Sequence, residues 1–262
     1  MQVKANGISV NYELSGRDGG AVVMMSHSLA SSLRMWDAQM SALAERFRVL
    51  RYDTRGHGGT DAPAGAYSLD QLGDDAVGLM DALKIERAHW IGLSMGGMIG
   101  QNLALRHPGR LRSLVLADTS SRIPAEAQPV WEERIETARK GGMAPLCEPT
   151  MQRWFTAPFL ARNPPELEET RRIFLATPPD GYTGCAQAIR RLDYLGRLGE
   201  IRLPTLVVVG AEDQATPVAA SEAIQVGIPG ATLEVIPQAS HLANVEQPKR
   251  FTDAVLGFLQ GL

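Results

Sequence analysis

Trp90-Ile91-Gly92-Leu93-Ser94-Met95-Gly96-Gly97-Met98 is the stretch on which the fold of this chain turns. Trp90 to Leu93 is a continuous apolar run, the pattern of a strand buried on both faces. Gly92 to Gly96 then matches G-x-S-x-G, and Met95 to His107 has helical character. A serine at a sharp strand-to-helix turn is flanked by glycines because the two elements approach too closely there for side chains. Such a turn projects the Ser94 hydroxyl, and the start of the helix aims N–H groups at negative charge. A glycine-rich turn with an incidental serine is the plainer alternative, and the strand-to-helix setting argues against it.

Outward from this turn, similar apolar runs occur at Ala21 to Met25, Val49 to Tyr52, Leu114 to Ala117 and Leu206 to Val209. Helical stretches at Trp36 to Phe47 and Leu69 to Leu83 lie among them, the second opened by the capping box Ser68-Leu69-Asp70-Gln71. This alternation predicts an α/β protein with a mostly parallel sheet covered by helices on both faces, and ligand sites beyond the carboxyl ends of the strands. At the N-terminus, Asn6-Gly7 predicts a type I′ hairpin running into the alternating Ile8, Val10, Tyr12 and Leu14. From 123 to 199 no buried strand is evident, and helical patterns are interrupted by Pro124, Pro145, Pro158, Pro164-Pro165 and Pro178-Pro179. The expectation is one core domain, residues 1–122 and 200–262, with a helical cap, residues 123–199, inserted over the sheet edge where a substrate would bind.

A serine hydroxyl is a weak nucleophile, so it needs a base, and the base needs a partner that fixes its tautomer. Five histidines compete. His57 and His89 lie in or beside turns and His107 closes a helix before Pro108-Gly109, so each reads as a polar surface residue. His241 follows the strand Thr232 to Ile236 in a loop ahead of the last helix, which fits the order serine, acid, histidine. For the acid, Asp213 stands just past the run Leu206 to Val209; Glu212 beside it and Asp118, after Leu114 to Ala117, stay open as rivals.

The 262 residues are 44% hydrophobic and 21% charged, ordinary for a globular chain, and the net charge of −3 leaves no basic footprint for nucleic acid or a membrane surface. The N-terminus lacks the apolar run of a signal peptide and no stretch is long enough to span a bilayer, which points to the cytoplasm. Cys147 and Cys185 form no metal-binding or disulfide pattern, so they read as small buried fillers or free thiols, and no cofactor or metal is expected. The expected partner is a small molecule.

With these motifs in order, the chain resembles the α/β-hydrolase family over almost its whole length. The matching segments are Gly92 to Gly97, Asp53-Thr54-Arg55-Gly56-His57-Gly58, Gly210-Ala211-Glu212-Asp213 and Ser240-His241-Leu242-Ala243-Asn244-Val245-Glu246-Gln247-Pro248. The resemblance implies a Ser94, Asp213, His241 triad, an oxyanion hole from the N–H groups of Met95 and Leu29, and a structural loop at Asp53 to Gly58. The loop before Leu29 usually carries glycine where this chain has Ser28, and His27 ahead of it generally braces the loop.

Within the family the chain is similar to 3-oxoadipate enol-lactonases, through Ser26-His27-Ser28-Leu29, Met35 to Gln39, Phe47 to Gly58 and Ile85 to His89. In the cap the likeness rests on Val130-Trp131-Glu132-Glu133-Arg134-Ile135, Arg153-Trp154-Phe155-Thr156 and Gly181-Tyr182. This implies a small unsaturated lactone with a carboxylate arm, opened through an acyl-enzyme on Ser94. Such an arm needs a cation, for which Arg134 and then Arg190 are candidates against the reading of solvated surface arginines. Trp131, Trp154 and Tyr182 are candidate lining residues, with plain cap packing as the alternative for Trp154. A broad aryl or alkyl esterase, a cofactor-free perhydrolase and a non-catalytic receptor on the same fold remain alternatives.

Overall fold

The computed structural model describes residues 1–262. Asn6 and Gly7 have φ of 43° and 80°, both positive as a type I′ turn requires, and they join β1 (Gln2–Ala5) to β2 (Ile8–Gly16) as an antiparallel hairpin. The sheet continues with β3 (Val22–Ser26), β4 (Arg48–Tyr52), β5 (Ala88–Leu93), β6 (Leu111–Ala117), β7 (Thr205–Gly210) and β8 (Thr232–Ile236). Its order is β1-β2-β4-β3-β5-β6-β7-β8, and every pair from β4 to β8 is parallel. All residues of β3, β5 and β7 are buried, which is why they read as unbroken apolar runs. The edge strand β8 buries only Ile236 fully and leaves Val235 exposed.

The helices of the core are α1 (Asp37–Ala44), α2 (Leu69–Ala82) and α3 (Met95–Arg106). Ser68 caps α2, its Oγ accepting from Gln71 N at 3.1 Å. After α3, the connection from β6 to β7 holds α4 (Gln128–Gly141), α5 (Ala144–Trp154), α6 (Ala157–Arg162), α7 (Pro165–Ala176) and α8 (Pro179–Ile189), with no strand. The chain ends with α9 (Val218–Gly227), the one-turn α10 (Ala243–Glu246) and α11 (Pro248–Gln260). The prolines of the insertion open helices more than they interrupt them: α4 to α8 each carry proline in the first turn, where no N–H acceptor is lost, and Pro149 alone lies inside one.

One continuous apolar core joins sheet residues such as Met24, Trp90 and Val207 to Ile135, Met151 and Phe174 of the insertion. The two parts also meet through bare backbone: a Cβ on Gly56 would lie 2.4 Å from Gly181 Cα, and one on Gly181 would lie 2.0 Å from Gly56 O. No helix is long and apolar enough to cross a membrane.

A Cβ on Gly96 would fall 2.1 Å from the carbonyl oxygen of Ser26, a backbone atom that cannot swing away. Gly96→Ala is therefore expected to cost about 1–3 kcal/mol or more in urea unfolding. Gly257→Ala, on the exposed face of α11 with nothing within 4 Å, should stabilise by about 0.5–1 kcal/mol. Equal effects at the two positions would contradict this account of the β3 to α3 contact.

Candidate active site

Ser94 sits between β5 and α3 at φ 54° and ψ −113°, a conformation that side chains avoid and that costs about 1–3 kcal/mol. The surroundings fix it: Ser94 N donates to Ala117 O at 2.9 Å, while Ser94 O accepts from Thr119 Oγ1 at 2.7 Å and Met98 N at 3.0 Å. Trp90 Nε1 donates to Gly96 O at 3.0 Å and locks the first turn of α3 to the strand. Glycines are obligatory here, since a Cβ on Gly92 would meet Gly96 O at 2.1 Å and one on Gly97 would meet Thr119 Cβ at 2.7 Å.

His241 and Asp213 are brought together in loops after β8 and β7. His241 Nδ1 donates to Asp213 Oδ2 at 2.9 Å, and both residues are buried. Asp213 also accepts from Ala215 N at 2.7 Å, Thr216 N at 3.0 Å and Thr216 Oγ1 at 2.7 Å. Burial alone would raise its pKa, but His241 and the Thr216 donors outweigh burial and leave it below the ordinary aspartate value. With Nδ1 engaged, the imidazole presents its other nitrogen, and Ser94 and His241 line one cavity. Ser94 makes no hydrogen bond to the ring, a contact that commonly tightens only when substrate is bound.

Both rival acids lie elsewhere. Glu212 is exposed and outside the cavity lining. Asp118 is fully buried, with Oδ1 accepting from Gly210 N at 2.8 Å and Oδ2 without a partner. Burial and then the nearby Asp213 carboxylate hold its pKa well above the ordinary value.

The surface readings of two histidines are corrected: His57 is fully buried and His89 is 7% exposed, its Nδ1 2.8 Å from Ser113 Oγ. His57 does lie in a turn, but its loop folds against the loop that carries His27, with the two ring centroids 5.2 Å apart, and His89 lies within β5. Thr54 N donates to His27 Nε2 at 2.9 Å and His27 Nδ1 donates to Ser28 O at 2.7 Å. Ala30 N donates to His57 Nε2 at 2.9 Å, leaving His57 Nδ1 to donate to Arg55 O at 3.1 Å. Burial, then the neighbouring His27, pushes the His57 pKa down to about 3. Both rings are neutral and have no nitrogen left to act as a base.

These contacts hold Ala30 at φ 55° and leave the Leu29 N–H with no acceptor. The Met95 N–H, at the first position of α3, is likewise without one. Ser28 and Leu29 both line the cavity, and the Ser28 hydroxyl is buried without a hydrogen bond.

The cavity has a volume of about 510 Å³. Its walls include Trp131, Arg134, Trp154 and Tyr182, all candidates from sequence, together with Arg122 and Arg153, which sequence reasoning passed over. Trp154 packs on the His241 ring with centroids 6.0 Å apart, and the Arg134 guanidinium lies 5.1 Å from the centre of the Trp131 ring. Arg190 is not brought to this cavity: it bonds Gln128 at 3.0 Å and pairs with Glu132. No salt bridge engages Arg122, Arg134 or Arg153, Arg153 Nε is buried without a partner, and no aspartate or glutamate lines the walls. Arg153 had a signal, since it directly precedes Trp154 in a segment already singled out. Thr216 had one too, in the Asp213-Gln214-Ala215-Thr216 spacing of an aspartate that receives its own downstream N–H groups.

A serine at a strand-to-helix elbow and a histidine paired to a buried aspartate, with Ser94, His241 and Leu29 on one cavity, are the arrangement of an α/β-type hydrolase. The chain belongs to that family: a family model of the alpha/beta hydrolase fold matches residues 21–248. It is similar to 3-oxoadipate enol-lactonase 2 of Acinetobacter baylyi, 37% identical over 96% of this chain and 93% of that protein. The crystal structure of the enol-lactonase from Burkholderia xenovorans LB400 matches with a TM-score of 0.96 and 39% identity, over 99% of this chain and 100% of that one. A thermophilic esterase from Thermogutta terrifontis, with malate bound, matches with a TM-score of 0.94 and 32% identity over 100% and 98% of the two chains. The chain is thus an enzyme of the α/β-hydrolase family that resembles enol-lactonases.

Asparagine substitutions separate the two buried aspartates. Asp213→Asn is expected to lower kcat for ester or lactone turnover by up to about 10⁴-fold, through loss of the charge that fixes the imidazole tautomer. Asp118→Asn keeps the acceptor for Gly210 N and should leave turnover near the parental rate. Because the folded-state pKa of Asp118 is raised, the native protein loses stability as pH climbs from the unfolded value of 3.8 towards the raised one. Thermal unfolding across that window should show this loss in the parent and not in Asp118→Asn. Inactivation by Asp118→Asn would return Asp118 to contention as the acid.

Proposed function

We propose that this chain is a serine hydrolase that opens a small carboxylate-bearing enol-lactone, converting 3-oxoadipate enol-lactone to 3-oxoadipate. The observation that carries the reading is the electrostatics of the cavity: three arginines without carboxylate partners and no acidic side chain. Arg134 and Arg153 are half-buried while Arg122 is exposed, and arginine held partly out of water without a counter-charge suits recognition of an anion. Burial also draws the Arg134 pKa below its ordinary value. The enol-lactonase relatives and the malate-bound neighbour support the same substrate chemistry.

In this mechanism Ser94 Oγ attacks the lactone carbonyl while His241 takes its proton and Asp213 holds the resulting imidazolium. The negative oxygen of the tetrahedral intermediate is received by the Met95 and Leu29 N–H groups. Collapse breaks the ring C–O bond, the leaving enol oxygen takes the proton from His241, and the enol becomes a ketone. Water that gives its proton to His241 then attacks the acyl-enzyme, which restores Ser94 and releases a second carboxylate. The insertion, residues 123–199, serves as the cap, placing Arg134 and Arg153 against the substrate arm and Trp131, Trp154 and Tyr182 along its apolar part. Residues 1–122 and 200–262 form the core that carries the reacting groups.

The test is a panel of enol-lactones, saturated lactones and neutral aryl esters, with the highest kcat/KM expected for the carboxylate-bearing enol-lactone. Arg134→Ala should raise KM for that substrate by roughly 10- to 100-fold, the value of a hydrogen bond to a charged group, with a much smaller effect on neutral esters. A fluorophosphonate probe should label the parent and not Ser94→Ala. A kcat/KM that favours the neutral aryl ester would replace this reading with a broad esterase.

A further inference from the structure

Glu246 belongs to the Ser240 to Pro248 motif, and none of the chemistry above uses it. Its side chain is buried, with the residue 7% exposed. Oε1 accepts from Thr156 N at 2.9 Å and Thr156 Oγ1 at 2.8 Å, and Oε2 accepts from Ser240 N at 2.6 Å. Ser240 immediately precedes His241, and Thr156 lies just past the end of α5, the helix that delivers Arg153 and Trp154 to the cavity wall. The carboxylate therefore spans the histidine loop and the inserted helices.

Two further bonds run across the same seam on either side of His241. The single Ser240 Oγ proton is shared between Arg153 O at 3.2 Å and Glu212 O at 3.1 Å, and Leu242 N donates to Trp154 O at 3.2 Å. Below it, α10 is tied to the core: Asn244 Nδ2 donates to Met35 O at 2.9 Å, and Gln39 Nε2 donates to Asn244 O at 3.0 Å. Glu246 is thus anchored to the core through its own helix and reaches up to both the histidine loop and the end of α5. No cation pairs with it, so its three donors are neutral N–H and O–H groups.

We infer that Glu246 is a positioning residue that makes His241 and the Arg153 to Thr156 cavity wall move as one body, so that the base and the substrate-facing wall keep a fixed spacing. The inference rests on the functional reading that His241 is the base. It requires a carboxylate in particular: three donors converge on two acceptor oxygens, and glutamine would turn one of those oxygens into an NH₂ facing an N–H. Displacement of reacting groups by about 1 Å costs on the order of 10²-fold in rate, so a loosened bracket should be visible in kinetics.

The experiment compares the parent with Glu246→Gln, Thr156→Val, Thr156→Ser and His241→Ala, each checked for thermal unfolding and assayed at a temperature where it is folded. Glu246→Gln should lower kcat by roughly 10- to 100-fold and also raise KM for a carboxylate-bearing lactone, since base and wall are released together. Thr156→Val, which removes the hydroxyl that donates to Glu246 and caps α6 by accepting from Phe159 N at 3.4 Å, should move both constants the same way by less, and Thr156→Ser, which keeps the donors and the cap, should hold them at the parental values. If Glu246→Gln does not fold, Thr156→Val against Thr156→Ser decides. A lower Tm with parental kcat and KM in the folded variants would overturn the inference and make the bracket merely structural. His241→Ala keeps the two readings apart: activity surviving in it defeats the functional reading, whereas an inactive His241→Ala beside a kinetically parental Glu246→Gln defeats only the bracket.

Discussion

The first turn of α3 lies against the end of β3 with no side chain between them, and the rest of the site follows from that contact. Gly96 approaches the Ser26 carbonyl so closely that a single added carbon would overlap it. The strand and helix on either side of Ser94 are thereby forced into a sharp reversal, and Ser94 is held at positive φ by bonds from Ala117, Thr119 and Met98. The same closeness leaves Met95 N–H without an acceptor at the first position of α3. Local backbone strain is thus offset by tertiary contacts and concentrated at Ser94, which lines the cavity together with His241.

Buried titratable groups around the elbow are shifted in opposite directions by their surroundings. His27 and His57 are neutral because each ring nitrogen is already engaged and burial disfavours the charge. Asp213 is kept ionised by His241 and Thr216, while Asp118 nearby is pushed the other way by burial and by Asp213 itself. Two aspartates at the ends of neighbouring strands are therefore shifted in opposite directions, and Asp213 is the one that bonds the histidine.

The elbow, the parallel strands and the hairpin were legible because each depends on local pattern: glycines where backbones touch, unbroken apolar runs in strands covered on both sides, and Asn6-Gly7 at a turn needing positive φ. Asp213 and His241 were legible as strand-end positions in a fixed chain order. What the sequence hid depends on contacts between distant segments. His57 looked like a surface residue because nothing in the chain announces that its turn closes over Ala30 N–H. Arg190 and Arg153 are equally basic in sequence, but one is satisfied by Glu132 on α4 and the other is left to the cavity. The prolines of the insertion looked like breaks until the helices showed them opening first turns.

The backbone contact between Gly56 and Gly181 bears on how such an enzyme can diversify. Where two main chains touch, no rotamer can absorb a shift, so the start of α8 is pinned to the loop after β4 whatever surrounds it. The remainder of the insertion, including α4 with Trp131 and Arg134, can exchange side chains without disturbing that pivot. The cavity lining can then be rewritten on one side of the pivot while Ser94, Asp213 and His241 on the other keep their places, a division of labour between a fixed frame and a replaceable lining.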